Sequence, residues 1–294
     1  MVMVESELLS DNSYGAAQVL LFDSHDTARR NTRTALNSLG VWQIREAANP
    51  RELRNCLSGG AYDLVLLSSS HLEDGTAAMM RQIRRHAIGE DPFAPLLATV
   101  ASTDGRLVSE IAYAGVDQIV GRPFSGKQIR RRLDAILSER KGFIETLDYL
   151  GPDRRKPGQR PSDVVAIAVP NALKARIERR TDLAPSPERI AAAKAQLADM
   201  RRRNIGRRIA ATVKSFDRTE GGGETSYEAL CRCLDGLMAS HGASDQAPVA
   251  KQCAGLRRMA AACRDAPAGE RDDARRELVA QAGKLLSLLE DTAA

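Results

Sequence analysis

Residues 62–70 have the sequence YDLVLLSSS, in which four consecutive apolar residues separate Asp63 from Ser68. The run has no polar residue at alternate positions, so both faces of the strand that it predicts must be buried. Strands of this kind belong to parallel sheets that carry helices on both faces. Residues 63–68 are therefore predicted to form a buried strand of such a sheet.

Four further strands are predicted on either side of this one, and segments with helical spacing separate them. One of these helices begins at Asn49-Pro50 with Glu52 in its first turn, and the last begins at Ser125 with Gln128 placed for a capping box. Five strand–helix units in succession predict an α/β fold with a doubly wound, five-stranded parallel sheet. The four further strands are Val19–Phe22, Val41–Ile44, Pro95–Ala101 and Gln118–Val120.

The second half of the chain has a different pattern. Residues 150–186 are rich in Pro and Arg and predict a linker with one short helix. Ser186-Pro187-Glu188 is a strong helix start, and helical spacing continues from there to the end, which predicts an all-α helical bundle over 187–294. Residues 1–16 are expected to be a flexible N-terminus, and residues 17–149 the α/β domain.

Composition excludes several classes of function. The five cysteines have no zinc-site spacing, and we predict neither a metal nor a cofactor. The first residues are acidic rather than basic, and no run approaches the ~20 apolar residues of a membrane span, so a cytoplasmic protein is expected. The net charge of +5 permits an acidic partner without pointing to nucleic acid.

In doubly wound sheets, functional residues lie at the carboxyl ends of the strands. The residues predicted there are Asp23, Ser24, Ser68, Val100, Ala101 and Arg122. With this arrangement of elements, residues 18–140 resemble the receiver domain of bacterial two-component response regulators, the CheY-like domain. Another doubly wound domain with a coincidental Asp and Arg-Pro is the alternative.

The resemblance implies a degenerate phosphorylation pocket. The first acid of the family's magnesium-binding pair matches Asp23, but the second matches Ser24. The phosphoacceptor position matches Ser68, the hydroxyl position after the fourth strand falls on Val100, and the family's Lys-Pro becomes Arg122-Pro123. Asp74-Gly75 matches an Asp-Gly of the family, with the preceding loop one residue short. Residues 148–155, DYLGPDRR, resemble a segment that follows some receiver domains and has no role that we can assign.

These changes remove the chemistry of the family. An acyl phosphate needs a carboxylate nucleophile, and Ser68 has no evident base beside it. One carboxylate with two serines is a weak magnesium site, and Val100 cannot donate a hydrogen bond to a phosphoryl oxygen. We expect Arg122 to pair with Asp23, and we predict no catalytic residue.

The basic cluster at Arg201, Arg202, Arg203, Arg207 and Arg208 could bind an anionic partner, but a solvated helix face is the preferred interpretation. A histidine phosphotransfer domain is disfavoured because His241 lies next to Gly242 at a predicted helix end.

Our leading hypothesis is a non-enzymatic pseudo-receiver in phosphorelay signal transduction that acts through protein–protein interaction with a kinase, a response regulator or a second copy of itself. Nucleic-acid binding through Arg201–Arg208 is the alternative, and a receiver with an atypical phosphoacceptor is a weaker third.

Overall fold

The structure is a computed structural model that describes residues 14–102, 104–155, 164–216, 224–239, 247–267 and 269–291. The chain folds into two compact units. The first consists of Met1–Ile144 with Tyr149–Lys194, and the second of Glu145–Asp148 with Ala195–Ala294. Of the sequence features discussed above, the first thirteen residues and His241 lie outside the described residues.

The first unit contains a five-stranded, fully parallel sheet in the order β2-β1-β3-β4-β5. This order is one of the two common doubly wound arrangements, so the predicted fold class is confirmed. All six residues of the central strand β3 are buried, as its apolar run predicts. The strands are β1 Gln18–Phe22, β2 Gln43–Ala47, β3 Leu64–Ser69, β4 Leu96–Val100 and β5 Gln118–Gly121.

Helices cover both faces of the sheet because each strand sends alternate side chains to opposite sides. Leu20 and Phe22 of β1 pack into the core under α2, α3 and α4, whereas Val19 and Leu21 pack into the core under α1 and α5. The helices are α1 Asp26–Asn37, α2 Pro50–Ser58, α3 Thr76–Arg84, α4 Gly105–Tyr113 and α5 Gly126–Ser138.

Helix starts follow the capping signals of the sequence. The Asn49 side chain accepts a hydrogen bond from the Glu52 amide with Pro50 at the first helical position, and Ser125 and Gln128 form the predicted capping box. The second strand begins two residues later than predicted. Val41 is buried and its amide hydrogen-bonds to the Leu36 carbonyl, so it closes α1 instead of starting β2.

The segment predicted as a linker is partly folded onto the first unit. Short strands β6 Phe143–Glu145 and β7 Leu150–Pro152 pair with each other, and helix α6 Ala172–Ile177 precedes a 3-10 turn at Thr181–Leu183. Leu173 is buried in the core beside α5, and Nδ2 of the Asn171 side chain donates to the Ile136 carbonyl at 2.9 Å. Because these groups are buried or hydrogen-bonded, this part of residues 150–186 does not behave as a linker.

The second unit is helical. The helices are α7 Pro187–Phe216, which enters this unit at Ala195, α8 Glu224–Met238, α9 Ala247–Asp265 and α10 Arg271–Asp291. Their buried side chains form one apolar core that includes Cys233, Cys253 and Cys263. Burial raises the pKa of the Cys253 thiol to about 11, so this thiol is an inert core residue at neutral pH.

No helix in the described part of the chain combines the length and the apolar character that crossing a bilayer requires.

Candidate functional site

Ser68 lies within β3, and its hydroxyl is engaged inside the sheet. In the register of the two strands it stands opposite Thr99 of β4, whose Oγ1 donates to Ser68 Oγ at 3.0 Å. Both side chains are buried. The Ser68 carbonyl also accepts a hydrogen bond from Thr76 Oγ1 at the start of α3. The hydroxyl is therefore a buried structural group, and Thr99 beside it is no general base.

Asp23 follows β1 directly, and its carboxylate is also buried, with a side-chain exposure of 1%. Oδ1 accepts the His25 amide at 2.8 Å, and Oδ2 lies 3.4 Å from Nη1 of Arg122. The expected pairing of Asp23 with Arg122 is thus confirmed. Parallel strands end at the same edge of the sheet, and for this reason residues 99 positions apart in sequence meet here.

Arg122 joins three strands at this edge. Besides Asp23 after β1, its Nη2 reaches the Ser69 carbonyl at 3.3 Å and Ser70 Oγ at 3.2 Å, both at the end of β3. Its side chain is 17% exposed, and its Nε is buried with no hydrogen-bond partner among the described residues. A single guanidinium thus holds the ends of β1, β3 and β5 together.

The two other predicted pocket residues do not join this contact. Ser24 is exposed, and its Oγ lies 3.3 Å from Nδ1 of His25. Val100 is the last residue of β4, and its side chain is fully buried in the apolar core. The neighbouring Ala101 is exposed and offers no polar side chain.

Asp74 is the site residue whose role the sequence did not reveal. Its carboxylate accepts hydrogen bonds from Ser69 Oγ at 2.9 Å and from the amides of Ser70, His71 and Thr76. Burial alone would raise the pKa of Asp74, but the hydrogen bonds from the Thr76 and Ser70 amides and from hydroxyls hold it below its ordinary value. The Asp74-Gly75 pair was the available signal, because Gly75 has a positive φ that turns the loop into α3.

The chain matches no protein-family model and no curated protein. Among solved structures it is similar to the chemotaxis protein CheY4 of Vibrio cholerae, with 19% identity, a TM-score of 0.36, and coverage of 40% of this chain and 96% of that one. The receiver domain of the sensor histidine kinase PA1611 from Pseudomonas aeruginosa gives 20% identity, a TM-score of 0.35, and coverage of 40% and 93%. Full-length FixJ from B. japonicum gives 13% identity, a TM-score of 0.34, and coverage of 94% and 97%.

At these identities such similarities concern the fold alone. The strand order 2-1-3-4-5, fully parallel, with helices on both faces, is the arrangement that flavodoxin and CheY share. The first unit has this flavodoxin-like, CheY-like fold. We call it the receiver unit below.

The resemblance to receiver domains implies a magnesium site, and the residues of this receiver unit do not fit such a site. Magnesium is held through carboxylates in octahedral geometry. Here the Asp23 carboxylate is compensated by Arg122, and Asp74 is directed at backbone amides. Within the described ranges, no group of three His, Cys, Asp or Glu side chains could hold a metal ion.

The predicted basic cluster lies on α7 in the second unit, and its arginines form ion pairs with acidic residues. Arg201 contacts Glu145 at 3.3 Å, Arg202 contacts Asp199 at 3.2 Å, and Arg208 contacts Asp148 at 3.1 Å. Arg203 also pairs with Asp199, and Arg207 is exposed. Ile205, within the cluster, and Ile209, directly after it, are fully buried, so this part of the helix stabilises the bundle while its charges are largely compensated.

Proposed function

We propose that this chain is a non-enzymatic signalling protein of the response-regulator type, whose receiver unit has lost aspartyl phosphorylation. It acts through protein–protein interaction, with the helical unit as the output module. Other signalling proteins are its partners: a kinase, a response regulator or a second copy of the chain.

The observation that carries this proposal is that the Ser68 hydroxyl is buried and hydrogen-bonded within the sheet. A receiver needs a solvent-accessible carboxylate at this position, because the acyl phosphate has to exchange with the donor. Here the position holds a hydroxyl that is buried and hydrogen-bonded to Thr99. The positive charge of Arg122, which could have met a phosphoryl group, is directed at Asp23 and at the end of β3.

Asp74 and Asp23 are the carboxylates that an atypical receiver could use instead of Ser68. Asp74 accepts hydrogen bonds from three backbone amides and from hydroxyls, and its lowered pKa marks a weakly basic carboxylate. Asp23 is buried and paired with Arg122. A nucleophile in either place would have to give up these interactions before attack, which weighs against the third hypothesis.

Incubation of the full chain with acetyl phosphate and magnesium, followed by intact-mass measurement, tests the proposal. We expect no acid-labile phosphoryl adduct. The matched control restores the four changed positions together, as Ser24→Asp, Ser68→Asp, Val100→Thr and Arg122→Lys, and we expect this variant to gain an adduct. An adduct on the unaltered chain would overturn the proposal. If Asp74→Asn removed that adduct, Asp74 would be the acceptor.

Nucleic-acid binding remains the alternative, and the ion pairs of the basic cluster count against it. A protein that neutralises several phosphates binds with a steep dependence on salt. The test is binding of the full chain to arbitrary duplex DNA at about 50 and 200 mM salt, compared with an Arg203→Glu, Arg207→Glu variant. Salt-dependent binding that this variant loses would favour the alternative over protein binding.

A further inference from the structure

The turn between α4 and β5 makes an unusually close contact with the segment after the receiver sheet. Gly115 in this turn has φ +87°, and a Cβ atom there would lie 2.5 Å from the Leu150 carbonyl oxygen. On the other side of the contact, a Cβ on Gly151 would lie 2.6 Å from the Gly115 Cα. The two backbones therefore touch directly, and only glycine at both positions leaves room for this approach.

Arg154 fastens the same segment to the end of α4. Its Nε donates to the Ala112 carbonyl at 3.2 Å, and its Nη2 donates to the Val116 carbonyl. The Ala112 carbonyl also accepts the Gly115 amide at 3.1 Å, so Arg154 adds a second donor at the end of α4, where a cation opposes the negative end of the helix dipole. Arg154 thus caps α4 from outside and reaches over the turn to the residue before Asp117.

An aromatic contact lies beside this cap. Tyr149 and Tyr113, the last residue of α4, pack edge to face with their ring centroids 6.2 Å apart and an interplanar angle of 89°. The Tyr149 hydroxyl donates to the Pro152 carbonyl at 2.7 Å, which closes the segment on itself. The ring of Tyr149 is in this way fixed in place against α4.

Helix α3 holds the same turn through Arg84, whose side chain lies next to the Leu150 carbonyl around Gly115. Nε of the buried Arg84 donates to the Gly115 carbonyl at 2.7 Å, and its Nη2 contacts Asp117 at 2.7 Å. The turn is therefore held both by Arg84 and by residues 149–154.

We propose that residues 149–154 form a strap that locks the α4–β5 junction of the receiver unit in one position. The lock works through backbone contact at Gly115 and Gly151 and through the Arg154 cap. The surface formed by α4 and β5 is consequently held in one conformation. The strap does not depend on the loss of phosphoryl chemistry, and it gives the DYLGPDRR segment a conformational role.

Amide hydrogen exchange of the full chain tests the strap. Arg154→Ala removes both hydrogen bonds to α4 and the turn, so we expect exchange in residues 105–121 to accelerate by about tenfold or more. Arg155→Ala is the matched control: it removes the same charge at the next position, where Arg155 pairs with Asp153 and the Val164 carbonyl, and exchange in 105–121 should stay within about twofold of wild type.

A second variant keeps the test independent of Arg154. Gly151→Ala introduces the Cβ that has no room against Gly115, and it should accelerate exchange in the same residues. Exchange in α1 and β2 serves as the internal reference and should not change in either variant. Unchanged exchange in 105–121, or an equal acceleration in α1 and β2, would overturn the proposal.

Discussion

The two ends of the receiver sheet both contain an aspartate facing arginine, and the two contacts differ sharply. At the carboxyl end, Asp23 meets Arg122 through a single 3.4 Å contact, and Arg122 is partly exposed. At the amino end, Asp117 meets Arg84 and Arg140, each at 2.7 Å, and all three side chains are at most 6% exposed. The first contact closes a pocket, whereas the second belongs to the core.

The amino-end cluster is satisfied on every side. The Leu96 amide donates to Asp117 at 2.8 Å, and both guanidinium groups contact the ring of Phe143, with Arg84 at 5.0 Å and Arg140 at 5.3 Å from its centroid. Burial alone would raise the pKa of Asp117, but the charges of Arg140 and Arg84 hold it below its ordinary value. Removing one partner of the buried amino-end cluster should therefore cost more stability than removing one partner of the partly exposed carboxyl-end pair.

The largest loss of stability is expected when Asp117 is substituted. Asp117→Asn leaves two buried guanidinium groups without their counter-charge, so the free energy of unfolding should fall by about 3–5 kcal/mol. Urea denaturation followed by circular dichroism and by the fluorescence of Trp42, the only tryptophan of the chain, measures this loss in the receiver unit. A fall in the free energy of unfolding of less than about 1 kcal/mol would show that the Asp117 cluster does not stabilise the amino end.

The matching substitution at the carboxyl end, Asp23→Asn, should lower the free energy of unfolding much less. Asp23→Asn keeps an oxygen that can accept the His25 amide, and Arg122 keeps its contacts with Ser69 and Ser70. We expect a loss of about 1 kcal/mol in the same urea experiment. A loss equal to that of Asp117→Asn would mean that the pocket pair is structural too, and the contrast between the two ends would disappear.

Much of the receiver unit could be predicted because its signals are local. The apolar run of β3 and the caps at Asn49 and Ser125 each act within a few residues. The meeting of Asp23 with Arg122 was also predictable, since it follows from parallel topology alone.

The remaining features depend on register and on close packing, which local patterns do not specify. Thr99 lies beside Ser68 only because of the register between β3 and β4. The short strand β7 has three residues and no apolar alternation, and its place is fixed by Gly151 against Gly115. Two of the ion pairs of α7, Arg201 with Glu145 and Arg208 with Asp148, likewise bring together residues that are distant in sequence.

The smallest change in stability is expected for substitution of Asp91, at the edge of the amino-end cluster. This substitution should raise the free energy of unfolding. Burial raises the pKa of Asp91, an effect that the Phe93 amide and the charges of Arg140 and Arg84 only partly offset. A raised folded-state pKa contributes stability below the unfolded value of ~3.9, and this contribution is lost as the pH rises through the folded value. At neutral pH the charged carboxylate therefore destabilises the receiver unit.

Asp91→Asn keeps an oxygen for the Phe93 amide, which now donates to Asp91 at 2.8 Å, and removes the charge. We expect the free energy of unfolding to rise by less than about 1 kcal/mol at pH 7, and the difference from wild type to vanish below about pH 4, where Asp91 itself is protonated. Glu90→Gln removes the same charge from the neighbouring exposed position and should not give this pH-dependent difference. If Asp91→Asn were destabilising at pH 7, the carboxylate would have to be counted with Asp117 among the groups that hold the amino end together.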